Sequence, residues 1–202
     1  VDVQLALERA NEEMQTRMEQ ERLGQIGSTV VTLLIADEKV YISNLGDSPA
    51  FLYRNGKLTQ ITHDHTEGQA MLEAGVLSID QLKVHPSKNR LTRFIGMLSD
   101  GFLFETEQYE PIVPTDNDIL LLCSDGVSGV LSSDEIKVLL CGQKLAISAA
   151  EEIVNEAIKR GSRDNSTAIV IKILPNIQDD FLMQERLNSG SETDVNKSES
   201  SS

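Results

Sequence analysis

Between residues 28 and 62, four apolar, β-branched stretches follow one another with almost nothing between them. "STVVTLLIA" (28–36) passes through a short turn at Asp37-Glu38-Lys39 into "VYISNL" (40–45). Gly46-Asp47-Ser48 then leads to "AFLYR" (50–54), and Asn55-Gly56 to "LTQIT" (58–62). Links this short leave no room for a crossover helix, so they demand antiparallel neighbours and exclude a βαβ unit. Asn-Gly is the strongest short hairpin signal in the chain. The expectation is a four-stranded antiparallel meander. Residues 40–45 alternate as a half-buried strand does, whereas the unbroken apolar run at 28–36 predicts a strand covered on both faces.

Helical periodicity appears around this β block. Val3, Leu7, Ala10, Met14 and Met18 recur at helical spacing within 2–22. Residues 63–96 change character: "EGQAMLEAG" predicts a short helix stopped by Gly75, and "SIDQL" a helical turn capped by Ser78. A strand near 102–109 and another at 118–123 follow. Helices are expected at 132–141, capped by Ser132 or Ser133, and at 146–160, and a last strand at 166–174. From about 175 the composition turns to Ser, Asp, Glu and Asn, which predicts a disordered acidic tail over 175–202 with a short helix near 179–186. The folded domain is therefore expected to span 1–174.

A formal net charge of -14 argues against nucleic-acid binding, which needs clustered positive charge. No apolar run reaches membrane-spanning length. Cys123 and Cys141 are too few for a disulfide framework and form no CxxC pair, so both are expected to be buried free thiols. A cytoplasmic monomer is the expectation.

Three aspartates stand at strand ends beside glycine or a small residue: Asp47 in "NLGDS", Asp125 in "CSDG" and Asp164 in "GSRDNST". Asp100 lies in a second Ser-Asp-Gly, but "IGML" before it makes a poorer strand. Any one of these is ordinary turn chemistry, with the carboxylate capping backbone N–H groups. Their number and placement suggest more. If the strands share one sandwich, their ends converge, and crowded carboxylates call for a divalent cation. Oxygen donors without His or Cys point to Mg²⁺ or Mn²⁺.

"GSTVV", "VYISNLGDSPAFLY", "LTQITHDHT", "HPSKNRLTRFIG", "DILLLCSDGVSG" and "GSRDNSTAIVIKI" occur in order over residues 3–174. Together they resemble the metal-dependent PP2C-like (PPM) Ser/Thr protein phosphatases of compact bacterial type. The resemblance implies an α+β fold: a PP2C-like antiparallel β-sandwich flanked by helices in α-β-β-α layers. It implies a dinuclear Mn²⁺ or Mg²⁺ centre with Asp125 and Asp164 as ligands, and Asp47 beside a more labile third metal. Asn165 would hold the turn next to Asp164, Gly126 would allow the turn that aims Asp125, and residues 63–93 would form a flap. The implied activity is hydrolysis of phosphoserine and phosphothreonine in a phosphoprotein substrate by a metal-activated water, with no protein nucleophile.

The family's opening third, with its Asn-acid-Asp motif, its phosphate-binding arginine and its Asp-Gly-Met-Gly-Gly strand end, has no counterpart here. The chain starts at Val1 without a Met or a basic-apolar leader, and the expectation is a truncated piece with its N-terminal strands missing. Such a piece should carry an incomplete metal site and little phosphatase activity. The family's "GDSR" reads "GDSP", so Pro49 replaces an arginine. "HDH" (63–65) puts two imidazoles on one side of an extended segment, as a metal pair would, but reads better as a polar turn opening the flap. Lys83, Lys88, Arg90 and Arg93 are a solvated basic face or a surface that orients phosphoproteins. The alternatives to an enzyme are a non-catalytic phosphatase-like binding or regulatory domain and a purely structural acidic domain.

Overall fold

The computed structural model describes residues 3–97 and 104–175. Among the described residues, seven strands form two antiparallel sheets. The first sheet has the order β1 (Val30–Ala36), β2 (Lys39–Leu45), β5 (Glu107–Gln108). The second has the order β4 (Lys57–Gln60), β3 (Ala50–Arg54), β6 (Ile119–Cys123), β7 (Ala168–Lys172). Tight turns make the β1–β2 and β3–β4 hairpins, and Asn55 and Gly56 both take positive φ, as their turn requires. β2 and β3 do not pair. The expected four-stranded meander is thus two hairpins in different sheets, and residues 46–49 carry the chain from one sheet to the other.

β6 explains why its sequence reads as one apolar run. Leu120 and Leu122 point into the space between the sheets with Val40, Ile42 and Ala50. Ile119, Leu121 and Cys123 point the other way, into a second core with Phe51, Val127, Ile136, Leu140, Ile153 and Ala157. A strand between two cores has no polar face. The second core is closed by α4 (Asp125–Ser128), α5 (Ser133–Gly142) and α6 (Ala146–Lys159). Ser132 caps α5, and Glu135 returns the contact in a capping box. β1, in contrast, is half-exposed along its length, with Ile35 55% exposed, and does not have the two covered faces that its sequence suggested. It is the edge strand of its sheet among the described residues, so only one face and one neighbour cover it.

The end of the second sheet away from the β2–β3 link is locked by charge. Arg54 Nε and Nη2 donate to Asp118 Oδ1 and Oδ2 at 2.9 and 2.6 Å, and Thr115 N–H and Oγ1 donate to the same carboxylate at 2.8 and 3.0 Å. Asp118 is 1% exposed, and every oxygen lone pair that burial strips of water finds a donor.

α1 (Val3–Gln20) turns inward the face that Val3, Leu7, Met14 and Met18 define, as expected, but with Asn11 on it in place of Ala10. Asn11 and Met18 are buried and Ala10 is exposed; Asn11 Oδ1 accepts the Gly96 N–H at 2.7 Å. The short helices α2 (Glu67–Glu73) and α3 (Ile79–Val84) lie where the flap was expected, and Ser78 caps α3. Cys123 is buried, but Cys141 is exposed, against expectation: it falls on the outer side of α5, one residue past the buried Leu140. No helix among the described residues is long and apolar enough to cross a membrane. The strand expected near 102–109 is seen only at Glu107–Gln108, and Asp100 lies outside the described residues, as does the tail beyond Pro175.

Candidate metal centre

Asp125 sits at the junction of β6 and α4. Cys123 N–H donates to Pro49 O at 3.1 Å, the last rung before the strand ends. Ser124 then stitches this junction to the turn before β7. Its N–H donates to Thr167 O at 3.1 Å, its Oγ donates to Asn165 O at 3.0 Å, and it accepts the Thr167 N–H at 3.1 Å. Ser166 Oγ donates back to Gly126 O at 3.1 Å. The turns bearing Asp125 and Asp164 are therefore laced together by side chain and backbone. Asp164 Oδ1 accepts the Asn165 backbone N–H at 2.7 Å, a bond that any residue with an N–H could supply there.

Gly126 has a different reason from the one its motif suggested. Its φ is not in the left-handed region, and it lies inside a helical turn. A Cβ there would stand 2.4 Å from Asn165 O. Glycine is needed for close approach of the two turns, not for conformational freedom.

Asp47 follows Gly46 on the link between the sheets. Gly46 has φ +111, and a Cβ there would meet Thr29 Cγ2 at 2.4 Å, so only glycine serves. Asp47 and Asp125 line one cleft of about 160 Å³ together with Asp64, Gln60, Thr66, Gln69, Lys88 and Asn89. Asp164 is not among the residues lining it, but its charge acts on Asp47. Burial first, then the charges of Asp125, Asp64 and Asp164, push the Asp47 carboxyl up to about 6. The Asp64 carboxyl is also raised by burial, although Gln60 Nε2, which donates to its Oδ1 at 2.9 Å, and nearby His65 and Lys88 oppose the shift. Four carboxylates thus share one end of the sandwich with little compensating positive charge. Among the described residues, no three or more His, Cys, Asp or Glu side chains are grouped to hold an ion by themselves.

Asp64 is the residue that sequence reasoning passed over. Attention to "HDH" fell on the imidazoles, but it is the aspartate between them that enters the cleft. Both imidazoles turn instead to one carboxylate on β5: His63 Nδ1 lies 3.1 Å from Glu107 Oε1 and His65 Nε2 2.8 Å from Oε2. The four basic flap residues also separate. Lys83 pairs with Asp80 at 2.8 Å and Arg90 with Glu67 at 3.3 Å. Arg93 lines another cavity with Phe94 and Phe104. Lys88 alone of the four lines the acidic cleft. A larger cavity of about 560 Å³, lined by Val3, Leu34, Tyr41 and Tyr109 among others, holds none of the cleft's carboxylates.

Two packed antiparallel sheets with carboxylates gathered at the turns of one end define a class, and comparison with known proteins gives it a name. The family profile described as Protein phosphatase 2C matches residues 2–166, and the chain belongs to that family. It is 31% identical over 172 residues to the serine/threonine phosphatase Stp of Listeria monocytogenes; the match covers 84% of this chain and 66% of the Listeria protein, just under two thirds of its length. Among solved structures, the Mycobacterium tuberculosis serine/threonine phosphatase PstP/Ppp superposes with a TM-score of 0.73 at 28% identity, covering 82% of this chain and 68% of that one. The catalytic domain of PstP in complex with two manganese ions gives a TM-score of 0.71 at 26% identity, over 82% and 67% of the two chains.

Proposed function

We propose that the acidic cleft is the catalytic end of a metal-dependent protein phosphatase, hydrolysing phosphoserine and phosphothreonine in protein substrates. In this proposal Asp125, Asp164 and Asp47 hold Mn²⁺ or Mg²⁺, and Asp64 adds a fourth carboxylate. The observation that carries it is that Asp47, Asp64 and Asp125 line one cleft, while the turn bearing Asp164 is laced to the one bearing Asp125. Burial first, and then the charges of Asp125 and Asp64, raise the Asp47 carboxyl to about 6, a cost that a cation bound in the cleft would relieve. The donors fit the cation: the cleft offers carboxylate and amide oxygen but no thiolate and no imidazole. Membership of the family and the manganese bound to the PstP catalytic domain support the same reading.

A divalent cation held there supplies a water acidic enough to attack phosphorus near neutral pH. The chain's own residues do the rest. The lacing of Ser124 to Asn165 and Thr167 fixes Asp125 and Asp164 before any ligand arrives, so no reorganisation is needed on binding. Lys88 faces the cleft and is placed to meet an anionic phosphoryl group. Pro49 brings no charge where the family motif has arginine, which leaves Lys88 the one cation lining the cleft among the described residues. The setting proposed is a cytoplasmic monomer, to which the two free thiols are suited.

The family's Asp-Gly-Met-Gly-Gly motif has no counterpart in the 202 residues, so the chain by itself is proposed to bind cations incompletely and to hydrolyse little. Calorimetric titration with Mn²⁺ tests the core of the proposal: saturable binding by the wild type, lost in Asp125→Asn. The 202-residue chain should hydrolyse p-nitrophenyl phosphate near background. Joining it to a segment that carries the family's Asp-Gly-Met-Gly-Gly motif should produce Mn²⁺-dependent hydrolysis of a phosphothreonine peptide. A joined protein that binds the peptide and never hydrolyses it would favour the non-catalytic binding domain instead. In the joined protein, Lys88→Met should raise KM for the peptide and for the aryl phosphate alike; an effect on the peptide alone would make Lys88 a docking residue.

A further inference from the structure

Asp47 and Asp64 come from different segments and carry like charge into one cleft. Repulsion drives them apart unless something else holds them. The residues next to them in sequence are joined by a reciprocal pair of hydrogen bonds. Gly46 N–H donates to His65 Nδ1 at 3.1 Å, and His65 N–H donates to Gly46 O at 2.9 Å. Because Nδ1 accepts, the neutral ring carries its proton on Nε2, which donates to Glu107 Oε2 at 2.8 Å. The imidazole is buried, so both of its nitrogens depend on these partners.

Glu107 is itself held in place. It sits opposite Asn44 in the β2–β5 ladder, and its second oxygen faces His63. Asn44 extends the tie, donating from Nδ2 to His63 O at 2.9 Å and to Gly46 O at 3.2 Å. Tyr109 completes it, accepting the His63 N–H and donating to Asn44 Oδ1, each at 2.8 Å. The segments 44–46 and 63–65 are thus bound at several points, and the one next to both aspartates is His65.

We propose that His65, with its tautomer set by Glu107, is a positioning residue that clamps Gly46 and thereby holds Asp47 and Asp64 at the separation a shared divalent cation needs. The proposal rests on the cleft being a cation site. Outer hydrogen-bond partners of this kind typically change metal affinity by about 10–100-fold when removed.

The test is Mn²⁺ calorimetry on the whole 202-residue chain, with metal-free urea unfolding and amide exchange at Gly46 measured alongside. His65→Leu removes both ring contacts and should weaken Mn²⁺ by at least about tenfold, with loss of protection at the Gly46 amide. His65→Asn places a carbonyl oxygen where Nδ1 stands and should restore most of the affinity. Glu107→Ala leaves the imidazole in place but frees it, and should weaken Mn²⁺ while leaving the metal-free unfolding midpoint less affected than its affinity. It also stands in if His65→Leu does not fold. Unchanged affinity in His65→Leu or in Glu107→Ala, or Asn performing no better than Leu, would overturn the clamp. A wild-type chain that gives no saturable Mn²⁺ isotherm would instead overturn the cation site, and the clamp's purpose with it.

Discussion

At Asp47, burial and three neighbouring carboxylates act in the same direction, and the carboxyl rises from an ordinary 3.8 to about 6. The unfolded chain ionises this group near the lower value. Between about pH 4 and 6 the native state therefore holds the proton more tightly than the unfolded state does. This group's contribution to stability grows as pH falls through 6 and levels off below about 4; at pH 7 the native chain carries the full cost of ionisation. With chelator present, Asp47→Asn should raise Tm at pH 7, and the gap from wild type should close by about pH 4. A gap that ignores pH would refute the assignment. Gly126 gives a second prediction at this scale. Alanine would gain up to about 1 kcal/mol of helix propensity. Against that, overpacking costs about 1–3 kcal/mol, and a backbone oxygen only 2.4 Å away puts this site at the upper end. Gly126→Ala should destabilise by about 2 kcal/mol in urea unfolding and weaken Mn²⁺ binding as well, since Asn165 must move.

Among the elements, β6 depends most on one polar contact. Removing one partner from a buried, fully hydrogen-bonded ion pair typically costs about 3–5 kcal/mol, because the other is left uncompensated. Arg54 reaches solvent in part, which favours the lower figure. Asp118→Ala should cost about 3 kcal/mol by urea unfolding, with the Asp118→Asn loss smaller. Strands and helices themselves were legible in the sequence wherever a local rule operates, as at the Asn55-Gly56 turn and the caps at Ser78 and Ser132; the half-buried alternation read for β2 did not hold, since Ser43 and Asn44 are buried along with Ile42 and Leu45. The pairing of β2 with β3 misled because a four-residue link fits a hairpin and a change of sheet equally well. Only the packing of both hairpins against β6 and β5 separates the two. Ala10 and Asn11 were exchanged for a similar reason, since a buried Asn satisfied by the backbone N–H of Gly96, 85 residues on, looks like a surface residue in sequence.

For the molecule as a whole, the meeting of the turns that bear Asp125 and Asp164 was legible because each carries a strong local motif. Asp64 was not, since nothing local separates a cleft carboxylate from an ordinary turn aspartate; its role depends on where Gly46 and Glu107 stand in space. A cation bound at the site should stabilise the entire fold by mass action. At a Mn²⁺ concentration about one hundred times Kd, the gain is about 2.7 kcal/mol. Calorimetric unfolding should show this rise in wild type, none in Asp125→Asn, and reversal by chelator. Equal stabilisation of both chains would place the ion elsewhere.

The two apolar faces of β6 carry one more implication. Hydrophobic patterning ordinarily penalises a strand that slips, because its greasy side chains turn toward water. "ILLLC" has no such safeguard: displaced by one position it still offers apolar groups to both cores. The alignment must be policed from the strand's two extremities, by Asp118 on Arg54 and by Ser124 on the 165–167 turn. A one-residue error would carry Asp125 about 3.3 Å along the sheet and rotate it to the opposite side. The guanidinium at the remote end is thus a distant gauge of where the carboxylate at the working end comes to rest.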